Sequence, residues 1–265
     1  MLADLALQAA ALFLYPGALA ILVLGSVVEG GARAVLREPA LASALRVGIR
    51  TWRPLPAATL AAVLLAALAA TETAAPLSPV PDPEHSLMLG IAALVAATWL
   101  SWLLGGGESE RGRVLLAGQA AFVIAMLGPG IATGTLHPQG VETALLPLDV
   151  VTKALAAALY LLSLPAVLQL VPAGGEPRSR SRQLLRTVLW PPYLGLFTSL
   201  FWAASPNVLG IAAFVGISLA AAAAALLLTL GLRSRPGWQP HAYPAALLAG
   251  AAVTIAVALL TPALT

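Results

Sequence analysis

The sequence predicts an all-α polytopic membrane protein, a bundle of about eight transmembrane helices with one amphipathic helix lying in the membrane interface. Of the 265 residues, 60% are apolar and 9% are charged, and the mean hydropathy is +0.91. About a quarter of the residues of an ordinary globular domain are charged. Runs of Ala, Leu and Val also exceed the roughly 18 residues that mark a membrane-spanning helix. These observations exclude a soluble enzyme.

Eight stretches are long and apolar enough to span a membrane, and each is bounded by proline, glycine or charge. The stretches are about 5–28, 55–75, 86–104, 114–134, 149–171, 185–204, 207–232 and 243–264. The first lacks a preceding basic region and is longer than a signal-peptide core, so we expect it to remain as a helix. No loop is long enough to hold a soluble domain. Residues 1–265 are therefore expected to form a single transmembrane domain.

The arginines predict the orientation of the bundle. Eight crossings place residues 29–54, 105–113, 172–184 and 233–242 on one side of the membrane, and every arginine falls on that side or at its edge. By the positive-inside rule this side is the cytoplasm of a cell (inner) membrane protein, and both termini lie outside. Acidic residues predominate in the predicted external segments.

An amphipathic helix is predicted over residues about 40–53, on the cytoplasmic side. Its apolar stripe consists of Leu41, Leu45, Ile49 and Trp52, and the neighbouring face carries Arg46, Arg50 and Arg53. Such a helix lies in the membrane interface. Its basic face is suited either to anionic lipid or to a cytoplasmic partner.

Charged residues at the cytoplasmic ends of the helices are candidates for contact with a partner protein or with lipid. They are Glu29, Arg33, Arg37, Arg46, Arg50, Arg53, Arg178, Arg180, Arg182 and Arg186. A role in orientation alone is the alternative for the arginines.

Polar residues within the spans are few. Asp149 and Lys153 are four residues apart at the start of the fifth span, so on a helix they share a face and can neutralise each other. They and Gln119 of the fourth span are the candidates for ion coupling, and the alternative for the charged pair is a structural anchor at the external interface. No series of carboxylates crosses the membrane, so we expect no complete proton wire. Gly128-Pro129-Gly130 is expected to kink the fourth span.

The chain has no cysteine and three histidines, which argues against iron–sulfur, haem or zinc sites built from this chain alone. Any redox cofactor is therefore expected in partner subunits.

Features at both ends of the chain occur in an order that resembles a known family. The first span contains Leu14-Tyr15-Pro16-Gly17-Ala18-Leu19 and Leu24-Gly25, followed by Glu29, Arg33, Arg37 and the amphipathic helix. Near the other end, an arginine-rich turn with Arg233, Arg235, Pro236 and Trp238 leads into the last span. This pattern resembles the quinone-site membrane subunit of respiratory complex I (subunit 1, the H subunit of bacteria). It resembles still more closely its relatives in membrane-bound energy-converting hydrogenases.

The resemblance implies eight spans, an external N-terminus and basic cytoplasmic loops that seat an iron–sulfur and catalytic arm. Partner subunits would then hold iron–sulfur clusters, with nickel or quinone as further options. The family's long acidic loop between the fifth and sixth spans is replaced here by Pro172-Ala173-Gly174-Gly175-Glu176-Pro177-Arg178. The carboxylates that would couple redox chemistry to proton transport are thus missing, as in a reduced member.

The leading hypothesis is a non-catalytic membrane subunit of a complex I-like or hydrogenase-like respiratory complex, assembled with other membrane subunits and a cytoplasmic arm. The alternatives are a small-solute or ion transporter acting on its own and a purely structural scaffold subunit. Nothing in the sequence points to nucleic acid as a partner.

Overall fold

A computed structural model of the protein describes residues 11–14, 16–38, 56–73, 85–107, 109–135, 147–171, 180–202 and 207–264. These parts are helical and contain no strand. The expected amphipathic helix over residues 40–53, with Arg46, Arg50 and Arg53, lies outside the described residues, as does Arg178.

Eight long helices occur in the described part of the chain, one in each stretch that the sequence predicts. They are α1 (Ala18–Val35), α2 (Ala57–Thr71), α3 (Leu87–Leu104), α4 (Ser109–Thr133), α5 (Pro147–Val167), α6 (Arg180–Phe201), α7 (Val208–Arg233) and α8 (Ala242–Leu264). A short 3₁₀ turn, Pro236–Trp238, separates the last two. The prediction of an all-helical bundle is confirmed.

Six of these helices are long and apolar enough to cross a membrane: α1, α3, α4, α5, α7 and α8. Helix α2 has the apolar composition but only 15 residues. Helix α6 begins with three arginines in its first seven residues, which lowers the hydropathy of its first two turns. The protein is an integral membrane protein, and the crossing of all eight helices stays a prediction.

Helix α6 is the central element of the bundle. It packs against α1, α2, α3, α5 and α7, while α4, α5 and α8 pack on one another beside it. The middle of α6 supplies Trp190 and Tyr193, which are fully buried. The ring of Tyr193 meets that of Phe122 from α4 edge to face at a centroid distance of 5.0 Å. Aromatic contact therefore joins the two groups of helices at α6.

Prolines inside α6 shape its contact with α1. Pro191 has no N–H, so the carbonyl of Thr187 loses its usual helical partner. An ideal Cβ placed on Gly25 of α1 would lie 2.0 Å from that carbonyl oxygen. Only glycine lets the backbones approach this closely, as at small-residue contacts between membrane helices.

Prolines also occur inside α4 and α5, and both helices continue through them. Helix α4 continues through Pro129, and the hydroxyl of Thr133 donates to the carbonyl of Pro129 at 2.9 Å. In α5, the hydroxyl of Tyr243 from α8 donates to the carbonyl of Leu162, one turn before Pro165, at 2.6 Å. The Gly128-Pro129-Gly130 sequence therefore lies within a continuous helix rather than between two half-helices.

The contact at Gly25 predicts the effect of adding one methyl group. Gly25→Ala should destabilise the protein by about 1–3 kcal/mol, because the new Cβ overpacks the crossing of α1 and α6. Thermal unfolding in detergent, followed by tryptophan fluorescence, measures the change.

Gly31→Ala on the same helix is the matched control, because a Cβ at Gly31 would meet nothing within 4 Å. Alanine is the better helix former, so this variant should be neutral or more stable by about 0.5–1 kcal/mol. Equal destabilisation by both substitutions would contradict the close crossing.

Candidate functional site

A fully buried carboxylate, that of Glu29 on α1, is bound by three side chains. The Nε atom of Arg33 donates to Glu29 Oε1 at 2.6 Å, and the Nε1 atom of Trp190 donates to Glu29 Oε2 at 3.0 Å. Arg186 donates through Nε to both carboxylate oxygens, at 2.8 and 3.0 Å, and its Nη2 also contacts Oε1. A buried charge is tolerated when it is paired and hydrogen-bonded in this way.

Helical spacing on two elements builds this arrangement. Glu29 and Arg33 are four residues apart on α1, and Arg186 and Trp190 are four residues apart on α6. Residues at this spacing share one face of a helix. Two such pairs face each other where α1 crosses α6, so the carboxylate of Glu29 meets donors from both helices.

A second carboxylate, that of Glu38, reaches the same place through a tight turn after α1. Arg37 has a φ of 54°, in the left-handed region, and the N–H of Glu38 donates to the carbonyl of Arg33 at 2.8 Å. The N–H of Arg37 donates to the carbonyl of Ala34 at 3.3 Å, which completes a Schellman-type ending of the helix. The turn reverses the chain and brings Glu38 beside α6.

Glu38 joins α6 to α7. Its Oε2 accepts from Arg186 Nη2 at 2.7 Å, and its Oε1 accepts from Arg233 Nη2 at 2.8 Å. The same Nη2 of Arg233 donates to the carbonyl of Leu170, just beyond α5, at 3.1 Å. We call these five charged residues the charge cluster: Glu29, Arg33, Glu38, Arg186 and Arg233. It ties together the ends of α1, α6 and α7.

The side chains of the charge cluster become more exposed from the core to the surface. Exposure of the side chain is 0% for Glu29 and 4% for Arg186, and it rises to 14% for Glu38 and 19% for Arg233. Three guanidinium groups stand against two carboxylates, and a guanidinium does not lose its proton in proteins. The five residues therefore carry a net charge of +1 at one end of the bundle.

The structure separates the predicted contact residues into two groups. Glu29, Arg33 and Arg186 are buried, and both arginines contact the carboxylate of Glu29. From the sequence we had expected all three at the surface. Arg37 is exposed. Arg180 and Arg182 belong to the first turn of α6, and their side chains lie outside the described part of the chain.

Sequence reasoning did not select Glu38, Arg233 and Trp190 as a group. Glu38 follows Arg37 in the predicted cytoplasmic segment, and Arg233 is the last residue of a predicted span. Glu38 and Arg233 are 195 residues apart in the sequence, so the sequence does not show that they contact each other. The available signals were the two pairs spaced by four residues, Glu29 with Arg33 and Arg186 with Trp190.

Gln119 belongs to a separate polar group inside the bundle. Its Nε2 lies 3.4 Å from the hydroxyl of Tyr193, which in turn lies 2.8 Å from the hydroxyl of Thr98. The hydroxyl of Tyr160 donates to the carbonyl of Tyr193 at 2.6 Å. These bonds satisfy buried hydroxyl groups that lipid could not satisfy.

Asp149 and Lys153 lie far from Gln119. Asp149 is buried in the first turn of α5, and Lys153 is half-buried one turn later. Gly118, next to Gln119, adjoins Ala166 near the opposite end of α5. At 1.5 Å per helical residue, the 17 residues from Asp149 to Ala166 correspond to about 25 Å. The structure does not bring the three predicted ion-coupling residues together.

No group of three or more His, Asp or Glu side chains that could hold a metal ion occurs among the described residues. The charge cluster has two carboxylates, both already bound by arginine. Its chemistry is that of a cluster of ion pairs that joins helix ends.

Comparisons with known proteins find a likeness in structure and none in sequence. No family model and no curated protein sequence matches the chain. Among solved structures, the chain is similar to a chain of the membrane-bound sulfane sulfur reductase (MBS), an archaeal respiratory membrane complex. The TM-score is 0.67 at 13% identity, over 96% of this chain and 99% of that chain. This chain therefore shares the fold of a component of a respiratory membrane complex over nearly its whole length.

The charge cluster predicts a large loss of stability when Glu29 is neutralised. Glu29→Gln should lower the free energy of unfolding by about 3–5 kcal/mol, because Arg33 and Arg186 lose their bonds to a buried carboxylate. Thermal unfolding in detergent measures the loss, and Glu110→Gln on the exposed first turn of α4 is the matched control, expected within about 0.5 kcal/mol of the wild type.

A double variant measures how strongly the contributions of Glu29 and Arg186 to stability depend on each other. Glu29→Gln combined with Arg186→Gln should cost clearly less than the sum of the two single substitutions, because the second removes a guanidinium group that has already lost its ion pair with Glu29. Additive losses would show that the two side chains do not depend on each other.

Proposed function

We propose that this protein is a membrane-anchoring subunit of a complex I-like or membrane-bound hydrogenase-like redox complex, and that it seats a cytoplasmic cofactor-bearing arm. The observation that carries the proposal is the likeness in fold to a chain of a respiratory membrane complex, which extends over nearly the full length of both chains. The same kind of protein is suggested independently by the residues at the two ends of the sequence.

The charge cluster suits an anchoring role. It holds the ends of α1, α6 and α7 in fixed positions through side-chain bonds of 2.6–3.0 Å. An arm that carries cofactors must be held rigidly, because a small displacement alters the geometry on which transfer reactions depend. Arg37 is exposed beside this cluster. We propose that the arm contacts this end, together with Arg46, Arg50, Arg53, Arg178, Arg180 and Arg182.

In this proposal the chain contributes no catalytic residue and no redox cofactor of its own. Iron–sulfur clusters, with nickel or quinone as further options, belong to the partner subunits. Asp149 and Lys153 remain the residues through which this subunit would take part in ion coupling. Their position at the far end of α5 places such a role away from the charge cluster.

Isolation of the protein with everything bound to it tests the proposal. Mild detergent extraction at native expression should yield a complex in which mass spectrometry detects further membrane subunits and cofactor-bearing subunits. Metal analysis of the same band should find iron or nickel. A lone, metal-free chain that catalyses solute flux after reconstitution into liposomes would contradict the proposal and favour the transporter alternative.

Substitution of one carboxylate tests the coupling role. If Asp149 takes part in ion movement, Asp149→Asn should reduce proton translocation by the intact complex while leaving its assembly unchanged, because the amide has no titratable proton. Translocation by membrane vesicles, measured with a pH-sensitive dye, gives the result. Unchanged translocation with normal assembly would leave Asp149 as an anchor, and Glu110→Gln at an exposed position serves as the control.

A further inference from the structure

We infer that the outer half of the charge cluster, Arg186 with Arg233, is a binding site for a phosphate oxyanion, and that a phospholipid headgroup supplies it. This inference is independent of the proposed redox complex, because it rests on the hydrogen-bond donors and charges of this chain alone.

The first observation is a pair of buried donors without an acceptor. Arg186 Nη1 and Arg233 Nε have no hydrogen-bond partner. Arg186 is itself 97% buried, since 3% of its surface is exposed. A buried N–H without an acceptor costs about 1–3 kcal/mol, and more when the group is charged. Each of these two N–H groups can therefore still donate a hydrogen bond to an acceptor oxygen.

The second observation is that the two guanidinium groups flank one carboxylate. Both donate to Glu38, Arg186 to Oε2 at 2.7 Å and Arg233 to Oε1 at 2.8 Å. An oxyanion bound beside this carboxylate would lie near both arginines. The planar fork of arginine matches phosphate oxygens in this two-point manner.

The third observation is charge. The charge cluster contains three guanidinium groups and two carboxylates, and the excess of one positive charge cannot be removed by deprotonation. Guanidinium groups outnumber carboxylates in this cluster, so an additional anion beside Arg186 and Arg233 would be attracted to it.

The surroundings favour a lipid headgroup as the source of that anion. Arg233 ends the apolar helix α7, and Leu230, one turn earlier, is 39% exposed. The guanidinium of Arg235 stacks on the ring of Trp238 at 5.1 Å, and this tryptophan is exposed just beyond the helix. Exposed leucine, then arginine, then an interfacial tryptophan is the order met on passing from acyl chains to headgroups. Basic pockets between helix ends at this depth bind anionic lipids.

Lipid binding to the purified full-length chain in detergent, measured by native mass spectrometry, tests the inference. The probes are phosphatidylglycerol and phosphatidylcholine with identical acyl chains. The wild type should bind phosphatidylglycerol more tightly, and Arg233→Gln should weaken this binding about tenfold, the effect of losing one charge-assisted contact. Glu38→Gln should strengthen it, because the competing carboxylate is removed.

The matched control is Arg113→Gln. Arg113 is exposed near the start of α4, so this variant removes one positive charge without touching the cluster. It should change phosphatidylglycerol affinity less than twofold. Equal weakening by Arg113→Gln and Arg233→Gln would overturn the inference, because attraction to general surface charge would then account for the binding.

Two further measurements identify the source of the anion and check the fold. Inorganic phosphate that raises the unfolding temperature of the wild type, but not of Arg233→Gln, would assign the site to free phosphate; protection by phosphatidylglycerol alone would assign it to lipid. Arg233→Lys keeps the charge without the planar fork and should bind with intermediate affinity, which shows that lost binding is not lost folding. A folded wild-type chain that binds neither probe would overturn the inference and leave an acidic side chain of a partner as the missing anion.

Discussion

The burial of one carboxylate constrains the arrangement of this bundle more than any other feature. An ionised group inside a protein is costly unless its donors are in place, so α1 can cross α6 only where Arg186 and Trp190 meet Glu29. The same crossing requires the backbones to approach closely, which Gly25 permits one turn away on α1. Charge pairing and a small residue therefore specify a single register for the two helices.

Helix α6 shows how a polar helix can be the centre of a membrane protein. Arg186, in its second turn, is bound by Glu29 of α1 and by Glu38 of the turn after α1, and the middle of the helix carries aromatic side chains that fill the core. Its proline pair removes backbone donors at the point where α1 approaches. Further along, the Tyr193 hydroxyl meets Thr98 and the Tyr193 carbonyl accepts from Tyr160. Polar groups are thus paired within the bundle, as lipid requires.

The distribution of charge gives the two ends of the bundle different characters. At one end, arginines and glutamates hold three helices together, and their exposure increases toward the surface. Such an end is suited to contact with a partner or with a lipid headgroup. At the other end, Asp149 and Lys153 begin α5 at a distance of about 25 Å along the helix from the residues around Gln119. The charge cluster and the pair Asp149 and Lys153 are therefore separate within the described structure, and each can be altered by substitution without touching the other.

Hydropathy and charge act over neighbouring residues and are visible within a short window, so the amino-acid sequence alone predicts the membrane class, the positions of eight helices and the grouping of the arginines. The pairs spaced by four residues on α1 and α6 are present in the sequence, but nothing there shows that they face each other. Which arginines are buried depends on the packing of the helices, since the contacts of Arg186 with Glu38 and of Arg233 with Glu38 join residues 148 and 195 positions apart. A buried and an exposed arginine look alike in sequence. The difference lies in the partner that the fold brings to each, and pairing across such distances is a property of the packed bundle.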